Sequence, residues 1–426
     1  ATTPSRLLKF HAPEIVFGID SMVEAAHAAM RLGALRPMLV TDPGLIEAGW
    51  SDEMVTHLAD QGVQGRVWSD LTPNPKDHEI AAGFQTYAEH GCDVIVAVEL
   101  ATVCGSDVHT ALGHRPAPTP LILGHEYVGR IVAIGSAGAH DVAGVRLQLG
   151  DRVVWSVCAS CGACDRCRRG IPQKCRDLRK YGHERVGSRW ELCGGFASHV
   201  HVRAGTPIVT VGERMPARVA APAACATATA MAALRRAERE VPVAGAVVLV
   251  SGAGMVGLSA AALAADRGAT VIVADSDKRR RKLSRRFGAS AAIDPRECDA
   301  LAGALATLGR DEVDIAIEAS GSPAAVAAAL AAVGIGGAVV LVGSVFPGGT
   351  VAVDPERIVR GLVTVAGVHN YTGEDLRDTV SFLRDVWGRH PFEDLVEPVF
   401  ALADADEALA AAAGGEALRV GLDPRR

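Results

Sequence analysis

The stretch from Ala246 to Arg267 restricts most tightly how this chain can fold. An apolar run, Ala-Val-Val-Leu-Val250, leads through Ser251 into Gly252-Ala-Gly254-Met255-Val256-Gly257, and an alanine-rich segment from Leu258 to Arg267 follows. A buried strand, a glycine loop and a helix in that order let the backbone turn tightly and approach a dinucleotide pyrophosphate at the helix amino terminus. Met255 and Val256 belong to that cradle. A second strand, Thr270 to Ala274, ends on Asp275. A carboxylate about twenty residues past such a loop accepts from ribose hydroxyls and repels a 2′-phosphate, which predicts NAD rather than NADP. The basic run beginning at Lys278 argues the other way, since an arginine there serves NADP, but helix geometry makes most of it a solvated face. Further strands at 313–318 and 338–342 lead to Gly321 and Gly343, small residues at the carboxyl edge of the sheet where a nicotinamide must be approached closely.

A second constellation carries chemistry. Cys104-Gly-Ser106-Asp107-Val-His109 closes an apolar run, and Gly124-His125-Glu126 follows. A thiolate and an imidazole make an incomplete tetrahedral zinc site, which Cys225, just ahead of the glycine loop, can complete with one position left open. Five of the ten cysteines sit in Cys158-x2-Cys161-x2-Cys164-x2-Cys167-x7-Cys175. A chain this long needs no disulfide staples, so the spacing points to reduced thiolates on a metal. Cys158/161/164/167 is one register and Cys161/164/167/175 the other. Cys193, His199 and His201 read as strand residues.

Together these motifs resemble the zinc-dependent medium-chain alcohol dehydrogenases over residues 94–426. The resemblance implies a GroES-like β-barrel catalytic domain (93–224 and 369–426) and a Rossmann doubly wound parallel sheet (225–368). It makes Cys104, His125 and Cys225 ligands of a catalytic zinc, and Cys161, Cys164, Cys167 and Cys175 ligands of a structural one, with Cys158 a packed thiol. Asp107 and Glu126 then orient or tune ligands, or Glu126 instead approaches the metal transiently, while Ser106 takes the substrate proton and His109 passes it to solvent. Gly252, Gly254, Met255, Val256, Gly257, Asp275, Lys278 and Gly343 hold the cofactor. The family's habit implies a homodimer or homotetramer, with the 338–342 strand and its neighbour pairing across subunits.

Residues 1–92 read as a small βαβ segment, with strands near 14–18, 37–41, 65–68 and 93–98 and helices near 22–32, 52–60 and 77–89. Phe17-Gly18, Leu39 to Leu45, Pro73-Asn74-Pro75 and Gly91 to Val98 resemble the nucleotide domain of iron-dependent alcohol dehydrogenases. Glu99-Leu100-Ala101 stands where that family has Gly-Gly-Gly-Ser, so the segment implies an accessory piece that binds no cofactor. Which fold claims the 93–98 strand stays open here. Pro222 to Thr229, Ser344 to Pro347 and Gly367 to Tyr371 are similar to a zinc dehydrogenase subgroup associated with phosphonate catabolism. A phosphonate needs positive charge, for which Arg115, Lys180, His183, Arg189 and His369 are candidates.

Composition bounds the rest. Hydrophobic residues at 49% supply a core, and a formal charge of -6 gives no reason to expect nucleic acid. No apolar segment approaches the roughly 18 residues of a membrane helix, and the opening residues lack the order of a secretory signal, so the expectation is cytoplasmic. The sequence therefore predicts an α/β enzyme with two zincs and NAD, interconverting a small polar alcohol, anionic in the phosphonate reading, with its carbonyl. The alternatives are a cyclitol or sugar polyol dehydrogenase and a non-catalytic zinc-stabilised scaffold.

Overall fold

The computed structural model describes residues 22–23, 26–27, 37–41, 46–69, 94–135, 138–186, 190–346 and 348–426. The chain forms two compact units, 1–91 with 187–191 and 92–186 with 192–426. In the first, β1 (Met38–Val40) and β2 (Arg66–Trp68) pair in parallel with α1 (Trp50–Asp60) between them in sequence, a βαβ unit. Leu58 and Trp68 are buried. The strand expected at 14–18 and the helix expected at 77–89 lie outside the described residues, as does most of 22–32.

The second unit opens with β3 (Val94–Val103), α2 (Gly105–Ala111), β4 (Tyr127–Ile134) and β5 (Arg152–Trp155). Next come β6 (Cys158–Ala159), β7 (Arg179–Lys180), β8 (His199–Val202), β9 (Ile208–Thr210) and α3 (Ala226–Glu238). Then follow β10 (Val247–Ser251), α4 (Met255–Asp266), β11 (Thr270–Ala274), α5 (Lys278–Arg286), β12 (Ala289–Ile293) and β13 (Val313–Glu318). The chain continues through β14 (Val333–Leu341), β15 (Thr364–Gly367), α6 (Gly373–Val386), β16 (Val396–Ala401) and β17 (Arg419–Asp423).

One sheet has the order β16-β17-β3-β4-β5-β9. β3 is its spine: β4 runs antiparallel along one side, while β8 pairs with its first half and β17 with its second. The run from Val94 to Val98 belongs to this antiparallel sheet and continues to Val103. Glu99 breaks the apolar pattern that bounds it in sequence. In the fold, Arg152 (2.7 Å) and Arg130 (2.9 Å) neutralise the Glu99 carboxylate, so the strand passes through.

The other sheet has the order β12-β11-β10-β13-β14-β15, all parallel. Numbered from β10, this is 3-2-1-4-5-6, which places a crevice between β10 and β13 where the order reverses. Two sequence expectations shift. α4 starts at Met255, not Leu258, because Gly254 in extended conformation caps it, so Met255 and Val256 form its first turn. β14 starts at Val333 and is paired on both sides, so among the described residues the edges are β12 and β15, and the strand at 338–342 offers no edge to another subunit.

The alanine content acts in the packing of α3 against α4. Ala226, Ala230, Ala233 and Ala237 on one helix and Gly257, Ala260, Ala261 and Ala264 on the other are buried, and a Thr227–Ser259 hydroxyl pair (3.1 Å) satisfies the polar groups between them. α6 covers the other side of α3, where Arg235 pairs with Asp375 at 2.6 Å. Among the described residues no single helix is long and apolar enough to cross a membrane.

Candidate active site

β3 ends one residue before Cys104, which caps α2 in extended conformation. α2 carries Ser106, Asp107 and His109, and the turn before β4 carries His125 and Glu126. Cys225 caps the amino end of α3. One donor atom from each of Cys104, His125, Glu126 and Cys225 lies within 4.8 Å of the others.

Asp107, fully buried, organises this cluster. One oxygen accepts from the Cys104 amide at 2.9 Å and the other from the Gly124 amide at 3.2 Å. That second oxygen also lies 3.2 Å from His125 Nδ1, though not in line for a hydrogen bond. His125 Nε2 sits 3.4 Å from Ser106 Oγ. His109, further along α2, faces Phe346 (ring centroids 4.4 Å) and His114 (5.7 Å). Among the described residues it makes no direct hydrogen bond with Ser106, so a proton passing between them needs a bridging hydroxyl or water.

Electrostatics concentrate charge on one sulfur. The hydrogen bond from Cys225 holds the Cys104 thiol well below its usual range, with Arg419 and His125 helping against burial. Cys225 is pushed up correspondingly. Burial works against charge on His125, but Asp107 and Cys104 outweigh it and raise that imidazole. Two sulfurs sharing one proton beside an imidazole fit a divalent ion, which would let both ionise.

Three residues of the site are given no role by the sequence motifs. Arg419 of β17, 315 residues from Cys104, is bidentate on Glu126 at 3.0 and 3.1 Å and reaches Cys104 Sγ at 3.7 Å. Thr102 donates to Glu126 Oε2 at 2.6 Å. Burial lifts the Glu126 carboxyl to about 7, with Arg419 opposing. Glu126 is thus held by Arg419 and Thr102. Tyr371, fully buried, donates to the Ala224 carbonyl just ahead of Cys225 and accepts from Val157 N at 3.3 Å. Long-range pairings of this kind leave no periodicity to read.

The cysteine run resolves into one group. Cys161, Cys164, Cys167 and Cys175 hold their sulfurs within 4.8 Å of one another, with separations of 3.4 Å (161–175), 3.5 Å (164–167) and 3.9 Å (164–175). A tetrahedral ion with bonds of about 2.3 Å to sulfur spaces its ligands by about 3.8 Å, so the four thiols fit zinc. Cys158 lies apart in β6, buried and pushed up to about 11 by that burial. Cys193 is buried too, and His199 and His201 share one face of β8.

The glycine loop fits a dinucleotide. A Cβ on Gly257 would lie 1.8 Å from the Gly252 carbonyl oxygen, and Gly252 has φ +96°, so both positions demand glycine. A Cβ on Gly254 meets nothing within 4 Å, which leaves open space at the amino end of α4, a place that fits a phosphate. Asp275 accepts from Ala253 N at 2.6 Å, so its carboxylate sits behind the loop. Lys278 opens α5 and is exposed, Arg281 is spent on Asp294, and Arg279 pairs with Asp277. Gly343 packs so closely on Gly321 that a Cβ would lie 2.2 Å from its nitrogen.

Residues 90–213 match the alcohol dehydrogenase GroES-like domain family and residues 255–385 the zinc-binding dehydrogenase family. The L-threonine 3-dehydrogenase of Streptomyces avermitilis is 31% identical over 344 residues, 78% of this chain and 92% of that protein. This chain belongs to the zinc-binding medium-chain alcohol dehydrogenase family. An alcohol dehydrogenase from Thermotoga maritima superposes with a TM-score of 0.73 at 30% identity, covering 78% of this dehydrogenase and 91% of that chain. A zinc-binding dehydrogenase from Sinorhizobium meliloti bound to NADP gives 0.68 at 27%, covering 79% and 93%. Residues 12–98 of this dehydrogenase match the iron-containing alcohol dehydrogenase family, which overlaps the zinc-type match in the first strand of the antiparallel sheet. The enzyme is therefore an oxidoreductase with the GroES-like and Rossmann folds of its family.

Proposed function

We propose that this enzyme oxidises a small polar alcohol to its carbonyl compound with NAD, reversibly. The carrying observation is the clustering of Cys104, His125 and Cys225 beside the carboxyl edge of the parallel sheet, from which Phe346 reaches His109. Cys104, His125 and Cys225 would hold one zinc, and Cys161, Cys164, Cys167 and Cys175 a second, closed one. When bound, the catalytic zinc supplies Lewis acidity and the nicotinamide a hydride acceptor. Asp107 fixes Cys104 and His125, Ser106 accepts the substrate hydroxyl proton, and half-buried His109 passes it outward. Gly252, Gly254, Met255, Val256 and Gly257 cradle the pyrophosphate, Asp275 and Lys278 the adenosine ribose, and Gly343 leaves room for the nicotinamide. Asp275 favours NAD, although a relative binds NADP.

On this reading 93–224 with 369–426 form the catalytic domain, 225–368 the cofactor domain, and 1–92 an accessory segment. The exposed Ile335, Val359, Leu362 and Val365 near the β15 edge support a homodimer or homotetramer, and the composition a cytoplasmic enzyme. Threonine enters the substrate panel through the relatives' activity, hydroxyphosphonates and polyols through the sequence. The test is NAD reduction by zinc-analysed protein across these and simple alcohols, with Cys104→Ala as control. Turnover lost in the variant supports the proposal, and two bound zincs without turnover on any class refutes it.

A further inference from the structure

Glu318, the last residue of β13, stands apart among the buried acids. Six acids are buried among the described residues, and five of them have an arginine or histidine nitrogen within 3.2 Å, as Glu99 has Arg152 and Glu126 has Arg419. Glu318 is the sixth. It is fully buried, and among the described residues no basic side chain pairs with it. Its side-chain hydrogen bonds run to the turn that follows. Oε1 accepts from Ser320 N at 2.7 Å, Ser320 Oγ at 2.6 Å and Gly321 N at 2.8 Å, while Oε2 is buried without a partner. Burying a carboxylate without a counter-charge is costly, and the three hydrogen bonds to Oε1 are what offset that cost.

The 319–321 turn joins three parts of the crevice. Ala319 N donates to the Ser251 carbonyl at 2.8 Å, at the end of β10. The Glu318 carbonyl accepts from Val342 N at 2.8 Å and Gly343 N at 2.9 Å, just past β14. A Cβ on Gly252 would lie 3.0 Å from Ser320 N, and one on Gly321 would lie 2.7 Å from the Gly343 carbonyl oxygen. The glycine loop, the turn and the start of the 343–346 segment are therefore packed on one another, and a shift of the turn disturbs the other two. Phe346, at the end of that segment, meets the His109 ring. β11, with Asp275 after it, lies on the other side of β10. In this strand order the half from β10 to β12 suits the adenosine mononucleotide and the half that begins with β13 the nicotinamide one. Ser320 is exposed at that edge while the carboxylate beneath it is covered.

We infer that Glu318 is a positioning residue for the nicotinamide half of the cofactor: through Oε1 its carboxylate fixes the 319–321 turn against Gly252 and Gly343. This rests on the dehydrogenase reading of the site. The adenosine half depends instead on Asp275 and the amino end of α4.

The test is fluorescence titration of the zinc-loaded chain with NADH and calorimetric titration with AMP, for the native protein, Glu318→Gln and Glu318→Met. Glutamine keeps an acceptor in place of Oε1, whereas methionine keeps the volume and removes the acceptor. Replacing a buried unpaired acid by an apolar side chain of similar size leaves folding intact or improves it. In Glu318→Met, NADH should bind about tenfold or more weakly and AMP should stay within about twofold, since hydrogen bonds to a charged group contribute about that much. Its Tm should not fall, and Glu318→Gln should stay near the native protein throughout. A role in packing alone would lower Tm or weaken both nucleotides together. Unchanged NADH affinity in Glu318→Met, equal losses of NADH and AMP, equal losses in Glu318→Gln, or failure of Glu318→Met to fold overturns the inference. Hydrogen exchange of the Ser320 and Gly321 amides in the cofactor-free proteins should be faster in Glu318→Met than in the native protein, and unchanged exchange also overturns it. A native protein that binds neither nucleotide would refute the dehydrogenase reading, and the exchange result would still decide whether Glu318 holds the turn.

Discussion

One carboxylate oxygen of Asp107 lies 3.2 Å from Nδ1 of His125, while its partner oxygen accepts the Cys104 amide at 2.9 Å. A single buried acid therefore sets the position of two proposed metal ligands that are 21 residues apart, Cys104 and His125. Asp107→Ala should weaken zinc retention at this site by about 10- to 100-fold, the usual effect of removing a group that orients a ligand. Competition with a chelator of known affinity reads it directly, and unchanged retention would show that Asp107 serves packing alone.

Arg419 and Glu126 make a buried pair, the carboxylate fully covered and the guanidinium side chain 11% exposed. Removing one member leaves the other charge stranded, so Arg419→Met should cost about 3–5 kcal/mol in unfolding free energy. The double variant Arg419→Met/Glu126→Gln should recover a large part of it. Denaturant unfolding of the three proteins closes the cycle.

The cysteine lobe separates two classes of thiol. Cys164→Ser should remove one zinc per chain by elemental analysis, whereas Cys158→Ser should leave the zinc content unchanged.

The same lobe should release metal on acidification. Backbone N–H groups of Arg176 and Cys167 hold the Cys164 thiol down to about 6. A group whose folded pKa is depressed contributes above its unfolded value and loses that contribution as pH falls through the folded one. Protons compete with the metal for these thiolates, so zinc release to a chromogenic chelator should rise as pH falls, and a flat profile would contradict the thiolate assignment.

Asp275 is the proposed discriminator of cofactor. Asp275→Ser removes the charge that repels a 2′-phosphate, and the NAD/NADP ratio of kcat/KM should fall by about tenfold or more. An unchanged ratio would move the discrimination to α5.

Local patterns carried most of the cofactor half into view. The order strand, glycine loop, helix, acid is written within about thirty residues, and each part depends on near neighbours. The strand at 338–342 illustrates the limit: its composition marks a strand, but only the pairing of β14 with β13 and β15 shows that it is interior to the sheet. Cys104, His125 and Cys225 stand out because thiols and imidazoles in tight motifs are chemically unusual. Arg419, Thr102 and Tyr371 are chemically ordinary until the chain folds, and their partners lie 24 to 315 residues away. Glu99 misleads in the opposite sense, since a charge in an apolar run reads as an ending until Arg130 and Arg152 are known to face it.

The placement of Arg419 in β17 also sets a clock on biosynthesis. Cys104, His125 and Cys225 leave the ribosome well before Arg419, so until Arg419 follows them the nascent enzyme carries its proposed metal-binding thiols with Glu126 still unmatched. The catalytic centre reaches its final electrostatic balance only when the strand bearing Arg419 has been made and has added itself to the far half of β3.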